Sequence, residues 1–202
     1  MAIKVVLAGD EALTREALTE LLQLSGGIEV VAQTGWGDRV LGLLDDYQAE
    51  LAVLDVRMPG MNGIEVAEHL HEERPGFPVV ILSGYVRPGH LERAFKAGVR
   101  GILTKETSIR ELSRVIRDVH AGGSHYPSEL VAQLVAVGDN PLTAREVEIL
   151  KAAEDGRPLS AIASQLHISP GTVRNHIHSA IYKLKVGNRI SAVHAASRAG
   201  WI

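Results

Sequence analysis

The sequence contains no cysteine in its 202 residues. Disulfide bonds, thiolate metal sites and cysteine nucleophiles are therefore excluded together. It also lacks any run of about 18 apolar residues, so it predicts no transmembrane helix and no membrane partner. The first residues, Met1 to Leu7, enter an apolar strand pattern without a basic region or a cleavage site, so we expect no signal peptide. A cytoplasmic protein is the simplest interpretation of these absences.

The charge balance differs between the two parts of the chain. Residues 1–138 hold 13 Lys and Arg against 19 Asp and Glu, whereas residues 139–202 hold 8 against 5. The net charge is therefore −6 in the first part and +3 in the second, which together give the −3 of the whole chain. A basic C-terminal part suits a polyanionic partner, although +3 alone favours nucleic acid only weakly.

Short apolar runs alternate with stretches of helical periodicity through the first 121 residues. The apolar runs predict five strands, and the stretch after each of them predicts a helix. The predicted strands are 3–8, 28–32, 51–54, 78–82 and 101–103. Because parallel neighbours need crossover connections, this alternation predicts an α/β doubly wound fold, with a five-stranded parallel sheet between helices.

Polar residues stand where four of the predicted strands end. These residues are Asp10, Asp55, Ser83 and Lys105. The carboxyl ends of parallel strands share one edge, so we expect the four side chains to converge there. Paired carboxylates suit Mg²⁺, Lys and Ser bind phosphoryl oxygens, and one carboxylate can act as the nucleophile that gives an acyl phosphate. On position alone, Asp55 is equally well explained as a turn or helix-capping residue.

One block of residues decides between these interpretations. Residues 55–63 read Asp-Val-Arg-Met-Pro-Gly-Met-Asn-Gly, and Ser83 and Lys105 follow at fitting distances. With this block the chain resembles, over about Ile3 to Gly122, the receiver domain of bacterial two-component response regulators. The resemblance implies the following roles: phosphoacceptor, Asp55; switch hydroxyl, Ser83; phosphoryl-binding cation, Lys105; Mg²⁺ ligands, Asp10, Asp55 and the backbone carbonyl of Arg57.

Two positions depart from the receiver pattern. Receivers usually carry two adjacent acids after the first strand, and here the first of them is Gly9, so we expect Mg²⁺ to bind weakly. Glu11 is a candidate substitute, but a one-residue step usually reverses the direction of a side chain in extended chain. Ile102 stands where the family usually has an aromatic residue that moves as the switch hydroxyl engages phosphate. Both departures keep open the alternative of a phosphorylation-independent pseudo-receiver.

The second half shows the pattern of a helix-turn-helix. Thr143 and Glu146 form a capping-box pattern, and Ser160 and Ser169 are predicted to cap the next two helices. The helix after Ser169 has Thr, Arg, Asn and His near its start, as a groove-reading helix requires. On this pattern alone, the alternative is a helical bundle with a solvated polar face.

Three further blocks resemble the LuxR-type DNA-binding domain over about Asn140 to Trp201. They are 142–150 (Leu-Thr-Ala-Arg-Glu-Val-Glu-Ile-Leu), 169–176 (Ser-Pro-Gly-Thr-Val-Arg-Asn-His) and 183–190 (Lys-Leu-Lys-Val-Gly-Asn-Arg-Ile). With the receiver, the whole chain resembles the NarL/FixJ class of response regulators, and blocks 87–89, 140–143 and 200–201 are similar to its DesR-like members. We therefore predict a receiver domain at 1–121, a linker with a short helix at 122–139 and the DNA-binding domain at 140–202.

The resemblance also implies the function and the partners. It implies a transcription factor rather than an enzyme, phosphorylated by a cognate sensor histidine kinase, that binds double-stranded DNA as a homodimer. The implied roles are base contact for Arg174, Asn175 and His178; phosphate contact or helix support for Thr172, His176 and Lys183; and dimerisation for Ile190 and Val193. Receiver pairing is expected through the first and fifth helices. An alternative of another class is a phosphotransferase or phosphatase that uses Asp55, but no substrate-binding insertion is visible.

Overall fold

In the computed structural model of the chain, the residues described are 2–84, 88–128, 131 and 140–202. The chain divides into two compact units, which are described separately here. The linker helix predicted from Ser128 to Val137 lies largely outside the described residues. The domain limits at 121/122 and 139/140 stay predictions.

The first unit is built on a five-stranded sheet with the strand order β2-β1-β3-β4-β5. The strands are β1 (Ile3–Ala8), β2 (Ile28–Thr34), β3 (Leu51–Asp55), β4 (Val79–Ser83) and β5 (Gly101–Thr104). All four neighbouring pairs are parallel. The predicted parallel α/β fold is therefore confirmed, and its strand order reverses between β1 and β3, where α/β sheets form a ligand crevice.

Helices connect the strands and cover the sheet. They are α1 (Ala12–Leu24), α2 (Val40–Asp46, after a 3₁₀ turn at Gly37–Arg39), α3 (Gly63–Glu73), α4 (Pro88–Lys96) and α5 (Ile109–His120). Every residue of β3 and β4 is buried. Such continuous burial is expected of strands covered on both faces, and it explains why both read as unbroken apolar runs in the sequence.

The second unit contains four helices among residues 140–202. They are α6 (Ala144–Lys151), α7 (Leu159–Gln165), α8 (Pro170–Lys183) and α9 (Arg189–Ala199). The capping box of Thr143 and Glu146 is confirmed, as is the cap from Ser169 with Pro170 in the first turn. The cap predicted at Ser160 is wrong, because α7 begins at Leu159 and Pro158 is its N-cap residue. The proline ring fixes the extended backbone needed there without a hydroxyl.

One face of α8 packs into the core of the second unit. Val173, Ile177 and Ala180 of this helix are buried. They pack against apolar side chains of α6, α7 and α9, so the opposite face of α8 is left to solvent. Among the residues that the structure describes, no helix is both long enough and apolar enough to span a membrane.

Candidate phosphoacceptor site and nucleic-acid interface

Asp55 is the last residue of β3 and is only 6% exposed. Its Oδ1 accepts a hydrogen bond from the backbone N–H of Arg57 at 3.2 Å. Its Oδ2 lies 2.5 Å from the Lys105 ammonium. The carboxylate is therefore held between one backbone donor and one cation, at the sheet edge where the sequence predicted it.

The start of α3 fixes the backbone of Asp55. Gly63 lies so close that a Cβ atom there would be 2.2 Å from the Asp55 carbonyl oxygen, so only glycine fits. Asn62 caps the helix by accepting hydrogen bonds from the N–H groups of Ile64 and Glu65, both at 3.0 Å. The glycine and the asparagine of the 55–63 block thus hold the helix directly against the strand end.

Lys105 is shared between two acids. Its Nζ lies 2.5 Å from Asp55 and 3.3 Å from Oε1 of Glu11. Burial alone lowers the pKa of Lys105, but the hydrogen bonds and charges of these two carboxylates outweigh burial and raise it. The backbone N–H of Lys105 also donates to the carbonyl of Ser83 at 2.9 Å. Ser83 is buried at the end of β4, so the structure brings Asp55, Ser83 and Lys105 to one edge.

Of the two residues after Gly9, Glu11 lies beside Lys105, whereas Asp10 points to solvent in the absence of a metal ion. A cavity of about 20 Å³, with room for about one water, is lined by Glu11, Asp55 and Lys105 among others. Asp10 is exposed and does not line this cavity. Strand β1 ends at Ala8 and Glu11 is the N-cap residue of α1, so the alternation of extended chain no longer governs side-chain direction there. Sequence reasoning therefore undervalued Glu11.

The residues at this edge fit Mg²⁺ in their chemistry. They offer carboxylate oxygens and the backbone carbonyl of Arg57, which are the hard ligands that Mg²⁺ prefers. No three His, Asp or Glu side chains come together as a metal cluster within the described parts of the chain. The donor set is therefore suitable in kind, with fewer acids than a receiver usually carries.

Ile102 is fully buried in β5, where it pairs in register with Ile81. It is a core residue, so it has no position at the surface from which a side chain could swing. The aromatic movement that the family usually couples to the switch hydroxyl therefore has no counterpart at position 102.

The solvent face of α8 carries the residues predicted to reach DNA. Thr172, Arg174, Asn175 and His178 are exposed, and His176 is half-buried. Ser169 caps the helix by accepting a hydrogen bond from the Thr172 N–H at 3.0 Å. Arg174 and His178 are one turn apart, so both project from the same face.

Lys183, by contrast, is engaged inside the second unit. Its Nζ lies 2.7 Å from Oε2 of Glu146, a carboxylate that is only 3% exposed. Glu146 also accepts hydrogen bonds from the Ser179 hydroxyl at 2.6 Å and the Thr143 N–H at 2.7 Å. Burial by itself raises the pKa of Glu146, but these donors outweigh burial and lower it to about 2. Two roles were expected for Lys183, phosphate contact and support of the helix. Its ion pair with Glu146 favours the second role, because it ties α8 to α6.

Two large apolar or aromatic side chains of the second unit, Tyr182 and Ile190, are exposed to solvent. Tyr182 is 85% exposed and lies one turn after His178, a position that the sequence interpretation did not single out. Ile190 in α9 is 70% exposed, whereas Val193 is half-buried and packs against the core. Of the two residues predicted to pair α9 with a second copy, Ile190 is thus the more available.

Comparisons with known proteins agree with both units. The response regulator receiver domain matches residues 5–117, and the family of bacterial regulatory proteins of the luxR type matches residues 140–196. The transcriptional regulatory protein DesR of Bacillus subtilis is 38% identical over 199 residues, covering 98% of each chain. The uncharacterised regulator YvfU of the same species is 36% identical over 200 residues, covering 99% of this chain and all of that one.

A solved structure extends the agreement to the full length. The response regulator ChrA of a heme-sensing two-component system is 30% identical, with a TM-score of 0.58, and the match covers 100% of this chain and 99% of that one. The family predicted from the sequence is thereby confirmed. The chain belongs to the response regulators of the NarL/FixJ class, which join a receiver domain to a LuxR-type DNA-binding domain and are related to transcription regulators.

Proposed function

We propose that this chain is a cytoplasmic transcription factor switched by phosphorylation of Asp55. The observation that carries the proposal is the Asp55 carboxylate, buried at a strand end beside a cavity and held by Lys105 at 2.5 Å. A sensor histidine kinase is the phosphoryl donor. An oxygen of Asp55 forms a bond to phosphorus while the phosphorus–nitrogen bond of the donor imidazole breaks, which gives an acyl phosphate and a free histidine.

The neighbours of Asp55 have separate roles in this step. The Lys105 ammonium binds a phosphoryl oxygen and offsets the added negative charge. The Ser83 hydroxyl donates to another phosphoryl oxygen, which couples the modification to the end of β4. Asp10, Asp55 and the Arg57 carbonyl are the proposed ligands of Mg²⁺. When bound, this ion neutralises charge on the phosphoryl group.

The proposed consequence of phosphorylation is dimerisation through α1 and α5. Leu13 and Leu24 of α1 are both 81% exposed, and Leu21 is also exposed. Leu21 and Leu24 border a shallow groove against Ile109 of α5. Exposed leucines of this kind are what a second copy would bury. In the DNA-binding domain, Ile190 and Val193 of α9 are the proposed pairing residues.

The dimer would place two copies of α8 on DNA. Arg174, Asn175 and His178 are the proposed base-reading residues, because their side chains stand free on the solvent face of α8. Thr172 and His176 are proposed to contact phosphate. Two weak half-site contacts that act together give a usable affinity, since the second contact forms at high effective concentration.

The alternative is a phosphorylation-independent regulator, favoured by Gly9 and by the buried Ile102. It predicts that dimerisation and DNA binding are the same in wild type and in Asp55→Asn. Turnover of a phosphate ester by Asp55, which would make the chain an enzyme, is not part of the proposal, because its relatives are transcription regulators.

The deciding experiment is solution mass by light scattering, with and without Mg²⁺ and beryllofluoride, a phosphoryl mimic. We expect the mass of the wild type to double with the mimic and that of Asp55→Asn to stay unchanged. No shift in the wild type, with DNA binding intact, would favour the phosphorylation-independent alternative.

The DNA assignment is tested separately by binding to sequence variants of an operator. Arg174→Ala is expected to reduce the preference among sequences, because base contacts specify the sequence. His176→Ala, which removes a proposed phosphate contact, should weaken binding to all sequences alike. Equal loss of preference in both variants would contradict the assignment.

A further inference from the structure

The chain returns to the sheet after α5. The backbone N–H of His125 donates to the carbonyl of Arg100 at 2.7 Å, and the N–H of Ile102 donates to the carbonyl of His125 at 2.9 Å. These bonds pair His125 with Gly101 of β5 as an isolated parallel bridge. Strand β5 is the last strand of the sheet, so the bridge covers part of an edge whose backbone groups would otherwise lack partners.

The next residue, Tyr126, anchors the same segment by its side chain. Its ring lies against that of Phe95 in α4, with 4.4 Å between the ring centroids and an interplanar angle of 39°. Its hydroxyl donates a hydrogen bond to the carbonyl of Val99 at 2.8 Å. Burial raises the pKa of this hydroxyl, so it stays protonated and remains a donor near neutral pH. Tilted aromatic pairs are attractive beyond the area that they bury.

We call His125 and Tyr126 the linker latch, since they lie in the linker predicted at 122–139 and fasten it to the receiver. The latch is joined to β5 by backbone hydrogen bonds and to α4 by the aromatic pair. Strand β5 ends one residue before Lys105, and α4 is the helix that follows Ser83 in the chain. The latch therefore contacts both elements that are joined to the proposed phosphoryl-binding side chains.

One of the latch contacts involves position 102, where the family usually has an aromatic residue that moves as the switch hydroxyl engages phosphate. Here the side chain of Ile102 is fully buried, while its backbone N–H is bonded to the latch. An aromatic side chain does pack on α4, but it is that of Tyr126 and comes from the linker. A movement of β5 or α4 thus reaches the linker through direct contacts.

We infer that the linker latch passes the phosphorylation state of the receiver to the linker and so to the DNA-binding domain, an inference that rests on the proposed phosphorylation of Asp55. When Ser83 and Lys105 engage a phosphoryl group, β5 and α4 shift, and the latch shifts with them. Because the latch is where the linker leaves the receiver, its position sets the reach of the DNA-binding domain. Coupling between two sites typically changes an affinity by about five- to 150-fold.

Hydrogen exchange at single amides, followed by NMR, tests the latch directly. The Ile102 N–H donates to the latch, whereas the Lys105 N–H donates to the carbonyl of Ser83 on the side of β4. Tyr126→Ala removes the aromatic contact and the hydroxyl donor, so exchange at Ile102 should become about tenfold faster, while exchange at Lys105 stays unchanged. In the wild type, beryllofluoride with Mg²⁺ should change exchange at Ile102 by about threefold or more.

The second measurement is the gain in DNA affinity that the mimic causes. Tyr126→Ala should bind beryllofluoride and dimerise as the wild type does, because Tyr126 contacts Phe95 and Val99 rather than Asp55. Its gain in affinity should nevertheless be smaller by about fivefold or more. Tyr126→Phe keeps the ring and loses only the hydroxyl bond, so it should keep part of the gain. Tyr47→Ala is the matched control, since Tyr47 follows α2, is 48% exposed and should leave every quantity unchanged.

The outcomes separate this inference from the proposed function. If the wild type does not dimerise with the mimic, the phosphorylation switch is wrong and the inference falls with it. If the wild type dimerises while exchange at Ile102 does not respond to the mimic, the latch is wrong and the switch stands. Faster exchange in Tyr126→Ala with an unchanged gain in DNA affinity would assign Tyr126 a structural role only, and would likewise overturn the inference.

Discussion

Each unit of the molecule contains a buried carboxylate paired with a lysine, but the two pairs differ in what else surrounds the acid. Asp55 has Lys105 at 2.5 Å and one backbone N–H, and it borders a cavity. Glu146 has Lys183 at 2.7 Å and also accepts hydrogen bonds from Ser179 and Thr143. Burial and a cationic partner are therefore common to both units.

The difference teaches which buried acid is available for chemistry. A carboxylate offers about four lone-pair positions for hydrogen bonds. Three donors reach the carboxylate of Glu146, namely the Thr143 N–H, the Ser179 hydroxyl and the Lys183 ammonium, so this acid ties α6 to α8. Asp55 accepts from one backbone N–H and one ammonium, so it keeps acceptor capacity beside the cavity. Open capacity beside a cavity, rather than burial or an ion pair, distinguishes the proposed site.

The largest expected effect is on phosphoryl incorporation, which should require Asp55 and not Glu146. Asp55→Asn should abolish phosphoryl incorporation from acetyl phosphate, because an amide cannot form the acyl phosphate. Glu146→Gln should incorporate phosphate as the wild type does. Intact-protein mass spectrometry measures both, and incorporation into Asp55→Asn would refute the assignment of the nucleophile.

The pKa shifts of Glu146 and Lys105 have opposite directions, so their contributions to stability should be lost at opposite ends of the pH range. The pKa of Glu146 is lowered to about 2, so its contribution to stability is present above the ordinary value near 4.5 and is lost as the pH falls from there towards 2. The loss amounts to about 3 kcal/mol at most. The pKa of Lys105 is raised, so its contribution is present below 10.5 and is lost as the pH rises beyond that value. Denaturant unfolding across the pH range measures both, and an acid sensitivity of the second unit that is unchanged in Glu146→Gln would contradict the assignment to Glu146.

Replacement of Glu146 should cost the second unit more than replacement of Asp55 costs the first. Glu146→Gln is expected to lower the free energy of unfolding of the DNA-binding domain by about 2 kcal/mol, since three donors lose a charged acceptor. Asp55→Asn should change that of the receiver by less than about 1 kcal/mol. In a Trp36→Phe background, the fluorescence of Trp201, which packs in the second unit, reports on that unit alone.

A matched control for this measurement is Glu148→Gln. Glu148 lies on the same helix, half exposed, and pairs with Arg145 at the surface. Its replacement should change the stability by no more than about 0.5 kcal/mol. An effect as large as that of Glu146→Gln would mean that charge on α6, and not the buried network, is what matters.

A smaller effect than that of Glu146→Gln is expected when only the helix cap is removed. Thr143→Ala removes the side-chain oxygen that accepts from the Glu146 N–H at 3.3 Å and should cost about 1 kcal/mol, the usual contribution of an N-cap residue. The backbone N–H of residue 143, Lys183 and Ser179 would still hold the carboxylate. A cost equal to that of Glu146→Gln would show that the cap, and not the tie to α8, supplies the stability.

The sequence was sufficient where the signal is local. Apolar runs predicted every strand of the sheet, and the spacing of Thr143 and Glu146 predicted a capping box that the structure contains. Strand-end positions likewise predicted that Asp55, Ser83 and Lys105 share an edge. These features depend on neighbours in the chain or on the direction of a strand, so their signal is present in the order of residues.

The remaining features depend on contacts between distant segments. Glu146 reads as a capping residue, and nothing in its surroundings indicates Lys183, which lies 37 positions later. Glu11 was undervalued because the rule for extended chain was applied beyond the end of β1. Side-chain direction at the junction of a strand and a helix is set by the turn.

The contact between Gly63 and the Asp55 carbonyl bears on the mechanics of the receiver. Besides this contact, the N–H of Gly63 donates to the carbonyl of Val56 at 3.1 Å, so the two ends of the loop are tied at both points. These two contacts restrict the movement of the loop backbone that follows Asp55. If Asp55 is phosphorylated as proposed, we expect the displacement to occur on the side of Ser83 and Lys105 rather than in this loop.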